Sequence, residues 1–208
     1  YKPNLAFYEC YGIEGLRALD ATVDYIRTKY PEIFLIADAK RGDIGNTAKM
    51  YAKAFFEEMD FDAVTIAPYM GADSVTPFLE YKDKWAIVLA LTSNASAYQF
   101  QNAQKDGKPL YQAVMEEMME ISTPDNMMFV VGATKADKLE ELRSFCPDNF
   151  FLVPGVGAQG GSAEEVIAHG SNDHGGLLIN SSRGILFADS TEDFATVAGK
   201  VAAQTANL

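Results

Sequence analysis

The stretch that decides the fold is residues 33–43, Ile33-Phe34-Leu35-Ile36-Ala37-Asp38-Ala39-Lys40-Arg41-Gly42-Asp43. Its first five residues are all apolar, which is typical of a parallel strand that is covered on both faces. Asp38 and Lys40 are two positions apart, so their side chains project from the same face of the strand. Charged groups at the end of an apolar strand are costly unless they pair. The stretch therefore predicts a buried strand that carries a paired charge cluster at its carboxyl end.

An apolar run followed by an amphipathic stretch recurs along the whole chain. The apolar runs predict strands at residues 2–8, 33–38, 62–67, 85–91, 126–132, 150–156 and 176–181. The stretches after them predict helices at about 13–29, 44–59, 73–81, 110–121, 135–144, 162–169 and 190–205. Ser162 with Glu165 has the form of a capping box, and Ser190 with Asp193 resembles one. This unbroken alternation predicts an α/β fold.

The number of strand–helix units bears on the architecture. Seven units can be counted in 208 residues, whereas a (β/α)₈ barrel has eight units and typically about 250 residues. We therefore predict one barrel domain over residues 1–208, with strands two to eight present and the first strand lacking. A doubly wound open sheet is the alternative that counting leaves open. The polar stretch 93–109 predicts a mobile loop at the active-site end.

Composition excludes several classes of partner. The formal net charge of −12 argues against a nucleic-acid surface. No apolar run approaches the roughly 18 residues of a membrane span, and the start has no signal-peptide pattern. Cys10 and Cys146 lie far apart without metal-ligand spacing, which favours a reduced, cytoplasmic protein. His169 and His174 also lack a partner at useful spacing, so we predict no metal.

A glycine-rich segment provides a second candidate site. Residues 154–161 read Pro154-Gly155-Val156-Gly157-Ala158-Gln159-Gly160-Gly161 and lead into the helix predicted near Ser162. Glycines permit close backbone approach, and free N–H groups at a helix start attract anions. Barrel phosphate sites often use the loops after strands seven and eight. With Arg183 on the following loop, the segment predicts a phosphate site, while a turn without a ligand is the alternative.

The pattern D-x-K-x-x-D-I-x-x-T, which begins at Asp38, resembles the signature of the orotidine 5′-phosphate decarboxylase family. Residues 2–9, 152–161 and 179–185 resemble further segments of the bacterial-type branch, in the same order. The resemblance implies a TIM barrel that converts orotidine 5′-phosphate to UMP in pyrimidine biosynthesis without a cofactor. It also implies a homodimer in which the segment Asp43–Thr47 reaches into the neighbouring subunit's site.

The resemblance assigns site residues position by position. The charged tetrad of the family corresponds to Lys2, Asp38, Lys40 and Asp43. The substrate-binding positions correspond to Ile44, Thr47, Ser93, Pro154, Gly155, Gln159, Ser182 and Arg183. Among these, Ser93 matches a serine that hydrogen-bonds the pyrimidine amide edge, and Gln159 matches a residue that helps to close a lid. The family's ribose-binding aspartate lies on the first strand, which this sequence lacks.

The tetrad also has a physical interpretation. Loss of CO₂ from a pyrimidine carboxylate leaves a carbanion that no adjacent carbonyl can delocalise, so catalysis requires preorganised positive charge at that carbon. Lys40 is the predicted stabiliser and general acid, Asp38 would lie near the substrate carboxylate, and Asp43 and Lys2 would hold the array. Alternating signs keep both lysines protonated.

Two rival functions share some of these features. A magnesium-dependent decarboxylase or aldolase of sugar phosphates shares the D-x-K-x-x-D pattern but would need further carboxylates as metal ligands. A catalytically inactive barrel retained for nucleotide binding is the other rival. The intact tetrad argues against it, because a binding protein has no need of a costly charge array.

Overall fold

The computed structural model describes residues 1–132, 136–155 and 162–206. They belong to two compact units. The first comprises Tyr1–Ala90 and Gln104–Phe129, and the second comprises Leu91–Ala103 and Val130–Leu208. Strands and helices alternate along the chain as predicted, which confirms the α/β class.

The described strands fall into a main sheet and a small hairpin. They are β1 Ile36–Arg41, β2 Ala63–Ile66, β3 Trp85–Leu91, β4 Gln104–Lys105, β5 Lys108–Pro109, β6 Met127–Val131, β7 Phe150–Pro154 and β8 Leu177–Asn180. The main sheet has the strand order β1-β2-β3-β6-β7-β8, and β4 and β5 form the hairpin. β1 pairs with β2, β2 with β3 and β7 with β8 in parallel.

The described helices follow most of the predicted ranges. They are α1 Ala6–Glu9, α2 Gly12–Lys29, α3 Gly45–Lys53, α4 Thr76–Leu79, α5 Leu110–Glu120, α6 Ala136–Phe145, α7 Ala163–Gly170, α8 Arg183–Leu186 and α9 Phe194–Ala206. A π-helical turn, Ala54–Glu58, continues α3. The side-chain oxygen of Ser162 accepts a hydrogen bond from the Glu165 backbone N–H at 3.0 Å, so the predicted cap of α7 is confirmed.

The core of the first unit lies on the strands and on the helices that cover them. β2 is buried at all four positions, and α2 buries Gly15, Leu19, Val23 and Ile26, which are three or four positions apart. This spacing places them on one face of the helix. Edge-to-face aromatic pairs, Phe55 with Phe61 and Phe56 with Phe78, extend the packing.

Four predicted ranges are wrong in part. The strand predicted at 33–38 runs from Ile36 to Arg41, so it includes the charged residues Asp38 and Lys40. No strand forms over the predicted range 2–8: Asn4 makes only an isolated bridge to Asp38, and α1 begins at Ala6. The Ala6 backbone N–H donates to the Asn4 side chain at 3.2 Å. The helix predicted at 73–81 is split into a 3₁₀ turn and the short α4, which has Pro77 in its first turn. Proline lacks an N–H and restricts the residue before it, so one continuous helix cannot pass this point. The last helix begins at Phe194 rather than near 190.

The stretch 93–109 contains more regular structure than expected. Ala95–Gln99 forms a 3₁₀ helix in the second unit. In the first unit β4 and β5 form a hairpin around Asp106 and Gly107, whose φ angles are 54° and 80°. An Asp-Gly pair with two positive φ angles is a strong sequence signal for a tight hairpin. The prediction of one long irregular loop missed that signal.

Arg143 organises the second unit around β7 and β8. Its guanidinium carbon lies 3.9 Å from the centre of the Phe151 ring. The guanidinium also donates hydrogen bonds to backbone carbonyls of Cys146, Pro147, Asn149, Gly170 and Gly176. Burial lowers the pKa of Arg143. Arg143 therefore acts as a structural hub that satisfies carbonyls at the starts of two strands.

None of the described helices has both the length and the apolar character needed to cross a membrane.

Candidate active site

Asp38 lies buried in β1 and pairs with two lysines. The Lys2 Nζ lies 2.8 Å from Asp38 Oδ2, and the Lys40 Nζ pairs with Oδ1. A buried carboxylate is costly in isolation, and the two ammonium groups compensate it. The Lys2 side chain is 15% exposed and the Lys40 side chain 49%. Lys40 is therefore the member of the cluster that can meet a ligand, whereas Lys2 supports Asp38 from inside.

The N-terminal segment brings Lys2 to the cluster by running alongside β1. The Ile36 backbone N–H donates to the Tyr1 carbonyl at 2.9 Å, and the Asp38 N–H donates to the Pro3 carbonyl at 3.1 Å. Asn4 forms a parallel bridge with Asp38. Pro3 is tolerated because an edge position does not need its missing N–H. The segment thus extends the sheet by a few residues and places Lys2 beside Asp38.

A bulge at the end of β1 shapes the position of Lys40. Ala37 pairs with Val64 and Arg41 with Ile66, so β1 uses four residue steps where β2 uses two. Within the bulge Lys40 has a φ of 46°, in the left-handed region. Residues other than glycine seldom adopt this conformation, and such residues cluster at functional sites. The bulge turns the Lys40 side chain back onto the Asp38 carboxylate.

The electrostatics of the cluster keep Asp38 ionised. Burial acts to raise the pKa of Asp38, but the hydrogen bonds and charges of Lys2 and then Lys40 outweigh it and lower the pKa overall. Two ammonium groups around one carboxylate leave an excess of positive charge. That excess is what a site needs in order to stabilise a developing anion.

Thr65 belongs to this cluster and was missed from the sequence. It lies in β2 and is 1% exposed. Its Oγ1 accepts a hydrogen bond from the Lys40 backbone N–H at 2.9 Å and lies 3.2 Å from Asp38 Oδ1. The available signal was a polar residue within the otherwise apolar run Ala63–Ile66.

The fourth member of the predicted tetrad stays apart from the other three. The Asp43 carboxylate accepts the Ile44 backbone N–H at 2.8 Å. Within residues 1–132, 136–155 and 162–206, it forms no ion pair with Lys2 or Lys40. Ile44 and Thr47 are both exposed, just before and within the first turn of α3. Ile44 and Thr47 thus face outward, while Asp43 is half-buried just before them.

The predicted phosphate residues of the second unit follow β7 and β8. Pro154 pairs with Asn180, so Gly155 and Ser182 come just after two neighbouring strand ends. Gly155 has a φ of 86°, which favours glycine. Arg183 begins α8, is exposed, and has no carboxylate within 4 Å among the described side chains. Residues 156–161, which include the predicted Gln159, lie outside the described residues.

Ser93 lies two residues after the end of β3, where its backbone packs closely against Gly132. A Cβ atom on Gly132 would lie 2.7 Å from the Ser93 backbone nitrogen, so only glycine permits this approach. Gly132 was not singled out from the sequence because the contact joins residues 39 positions apart.

Among the described residues, no three His, Cys, Asp or Glu side chains gather as metal ligands would. The absence of a metal requirement stays a prediction.

An α/β fold with two ammonium groups around a buried carboxylate is typical of an enzyme that stabilises a developing anion. Similar proteins show which family this chain belongs to. The model of the orotidine 5′-phosphate decarboxylase / HUMPS family matches residues 1–196. The orotidine 5′-phosphate decarboxylase of Phocaeicola vulgatus is 57% identical over 203 residues, covering 97% of this chain and 75% of that protein. The orotidine 5′-phosphate decarboxylase of Bacteroides fragilis is 55% identical over 199 residues, and the match covers 95% of this chain and 73% of that protein.

Solved structures agree with these relatives. A putative orotidine-monophosphate decarboxylase of Toxoplasma gondii superposes with a TM-score of 0.86 at 38% identity, covering 100% of this chain and 77% of that one. The UMP synthase of Leishmania donovani superposes with a TM-score of 0.85 at 39% identity, and the match covers 99% of this chain and 46% of that one. The chain belongs to the orotidine 5′-phosphate decarboxylase / HUMPS family. The prediction of a barrel fold is confirmed, whereas one domain over residues 1–208 stays a prediction. Neither the open sheet nor the two rival functions receive support.

Proposed function

We propose that this chain decarboxylates orotidine 5′-phosphate to UMP through the charge cluster of Lys2, Asp38 and Lys40. The reaction follows from membership of the family and from relatives that carry the decarboxylase name. The observation that supports the roles of individual residues is the half-exposed Lys40 ammonium held on the buried Asp38. This arrangement places a fixed positive charge on the accessible side of a desolvated carboxylate.

The proposed chemical step uses Lys40 twice. The bond between the pyrimidine C6 and the carboxylate carbon breaks, CO₂ leaves, and the electron pair stays on C6. The Lys40 ammonium stabilises this carbanion and then transfers a proton to it, which gives UMP and a neutral amine. Because the Lys40 side chain is 49% exposed, water can return the proton for the next turnover.

Lys2 and Asp38 prepare Lys40 for this step. Asp38 fixes the ammonium by direct pairing, so no reorganisation is needed when negative charge develops on the ring. Lys2 keeps Asp38 ionised through its own pairing at 2.8 Å. With both lysines charged, the cluster remains net positive before proton transfer. This preorganisation is the contribution that the protein makes in the absence of a cofactor.

The second unit supplies the proposed phosphate and base contacts. Arg183 is exposed and begins α8, so its guanidinium can form a bidentate pair with the substrate phosphate. The backbone at Pro154, Gly155 and Ser182 would add N–H and carbonyl contacts, and Ser93 would bind the pyrimidine amide edge. Gln159 is assigned to closure over the pyrimidine by the family resemblance alone.

A homodimer is the proposed assembly, with the segment Asp43–Thr47 acting in the neighbouring subunit. Asp43 forms no ion pair with the lysines of its own chain in the described ranges. Two apolar side chains in and just after this segment, Ile44 and Met50, are exposed. Clustered exposed apolar groups are typical of interaction surfaces.

Cytoplasmic location is proposed because Cys10 and Cys146 are both free thiols.

An absorbance assay with orotidine 5′-phosphate tests the function. We expect the wild type to form UMP, to keep its rate after exhaustive treatment with a chelator, and to lose it in Lys40→Ala. Lys82→Ala, which alters an exposed lysine of the same unit, is the matched control and should keep its rate. A rate lost to the chelator would support the magnesium-dependent rival. A wild type without turnover would support the inactive barrel.

Mixing two inactive variants tests the exchange of Asp43 between subunits. Lys40→Ala and Asp43→Ala should each be inactive as homodimers. In a mixed dimer one site would combine an intact Lys40 with an intact Asp43 from the other subunit, so a reassociated equimolar mixture should recover about a quarter of the wild-type activity. No recovery, with mixed dimers verified by mass spectrometry, would place Asp43 in its own subunit's site, and an active Asp43→Ala homodimer would place it outside the mechanism.

A further inference from the structure

We propose that Thr65 is a positioning residue for the decarboxylation, one that locks the Lys40 backbone and the Asp38 carboxylate into a single arrangement. Its effect depends on the role proposed above for Lys40. Thr65 lies on a different strand from both residues, and neither the tetrad nor the substrate-binding positions include it. The inference rests on its burial and on its contacts.

The hydroxyl of Thr65 satisfies a backbone group that the bulge leaves without a sheet partner. Between Ala37 and Arg41 the pairing of β1 with β2 is interrupted, so the Lys40 N–H has no ladder carbonyl to bond. Thr65 Oγ1 accepts this N–H at 2.9 Å. A buried N–H without a partner would cost stability, and the left-handed φ of 46° at Lys40 adds strain. The hydroxyl therefore stabilises the one backbone conformation that turns the Lys40 side chain toward Asp38.

The same hydroxyl also reaches the Asp38 side chain. A hydroxyl that accepts the Lys40 N–H still has its own hydrogen to donate. Two acceptors are near: Asp38 Oδ1 at 3.2 Å and the Ala37 carbonyl at 3.5 Å. The ionised carboxylate is nearer and accepts the stronger bond. Asp38 Oδ1 then accepts hydrogen bonds from the Thr65 hydroxyl and the Lys40 ammonium, while Oδ2 accepts one from the Lys2 ammonium.

One side chain thus couples the backbone of Lys40 to the carboxylate that holds its ammonium. Thr65 is 1% exposed, so it cannot contact substrate or solvent directly. Its influence on turnover must pass through Lys40 and Asp38. Rotation of either group by the loss of this hydroxyl would displace the ammonium from the carbon where charge develops. Displacements of about 1 Å in such groups cost around a hundredfold in rate.

Three substitutions separate positioning from simple structural support. Thr65→Val removes the hydroxyl and keeps the shape, and we expect kcat to fall by about tenfold to a hundredfold with KM changed by less than about threefold. Thr65→Ser restores the hydroxyl and should bring kcat back to within about threefold of the wild type. Thr22→Val makes the same chemical change on α2, where the hydroxyl donates to the Ala18 carbonyl, and should leave kcat unchanged.

The series includes Lys40→Ala so that the two proposals can fail separately. If Lys40→Ala turns over like the wild type, the proposed role of Lys40 fails, whatever Thr65 does. If Lys40→Ala is silent and Thr65→Val keeps wild-type kcat, only the inference on Thr65 is overturned. A Thr65→Ser variant as impaired as Thr65→Val also overturns it. Should Thr65→Val fail to fold, Thr65→Ala takes its place with the same expected loss of kcat.

Discussion

The two compact units hold their candidate cations in opposite ways. In the first unit the Lys40 ammonium is paired with Asp38, which is 8% exposed and also engages Lys2 and Thr65. In the second unit Arg183 is exposed and has no carboxylate within 4 Å among the described residues. A group that must meet a developing charge gains from being fixed in advance. A group that binds a charged ligand gains from having no competing internal partner.

A second arginine in the second unit sharpens this contrast. Arg143 is held by backbone carbonyls and by the Phe151 ring, and burial lowers its pKa. Arg143 and Arg183 have the same side chain, yet the first stabilises the fold and the second is left accessible. Residue type alone therefore does not distinguish the proposed phosphate-binding arginine from a structural one. Burial and internal partners decide between the two.

The largest effect is expected at the centre of the preassembled cluster. Asp38→Asn keeps the shape of the side chain but removes the charge that holds both lysines, so we expect kcat to fall by about a thousandfold. Steady-state turnover of orotidine 5′-phosphate provides the measurement. Asp83→Asn, an exposed aspartate of the same unit, is the control and should keep its rate. A kcat for Asp38→Asn within tenfold of the wild type would remove preassembly as the source of catalysis.

Arg183→Ala should weaken binding of nucleotides that carry a phosphate. Loss of charge-assisted hydrogen bonds costs about 1.5–3 kcal/mol, so we expect the Kd of UMP to rise by about tenfold to a hundredfold. Uridine, which has no phosphate, should bind the variant and the wild type equally. Titration calorimetry with both ligands makes the comparison, and Arg17→Ala, which removes an exposed side chain of α2, is the control. An equal loss for uridine would mean that Arg183 does not recognise phosphate.

Lys2→Met should make the fold more sensitive to acid. The pKa of Asp38 is lowered in the folded chain, so the stability that this carboxylate contributes is present above its unfolded pKa and is lost as the pH falls through its folded pKa. Removing Lys2 raises the folded pKa of Asp38, and the loss then begins at a higher pH. At neutral pH we also expect a cost of about 1–3 kcal/mol.

Circular dichroism during acid titration gives the midpoint for each protein. Lys82→Met, at an exposed position, should unfold at the same pH as the wild type. If the midpoint of Lys2→Met is unchanged or lower, Lys2 does not support Asp38.

The smallest effect concerns the two thiols. Burial raises the pKa of Cys146 to about 11, and its Sγ donates to the Asn149 side chain at 3.2 Å. Because the thiolate is the nucleophile, Cys146 should resist alkylation at pH 8 while the exposed Cys10 reacts. Peptide mass spectrometry after brief iodoacetamide treatment separates the two, with denatured protein as the control. Equal labelling in the native state would show that the interior of the second unit opens readily.

Much of the fold could be predicted because its signals are local. Apolar runs and helical periodicity located most elements, and the charges after Ala37 located the candidate site. The first predicted strand was wrong because the chain turns into α1 at Ala6, where the backbone N–H bonds to the Asn4 side chain. Pro77 and the Asp106-Gly107 pair carried local signals that were not used.

The candidate site was harder to predict where it depends on register between strands. Lys40 and Thr65 are 25 positions apart, and their hydrogen bond exists because β1 bulges against β2. Nothing in residues 33–43 alone specifies that bulge or the left-handed Lys40. The position of Asp43, away from the lysines of its own chain, also depends on the path of the backbone into α3.

A crystal structure with bound UMP tests the central claim most directly. We predict that the Lys40 Nζ lies within about 3.5 Å of the pyrimidine C6 and still pairs with Asp38. A nucleotide whose C6 lies beyond about 6 Å from Nζ, with Lys40 directed elsewhere, would contradict it.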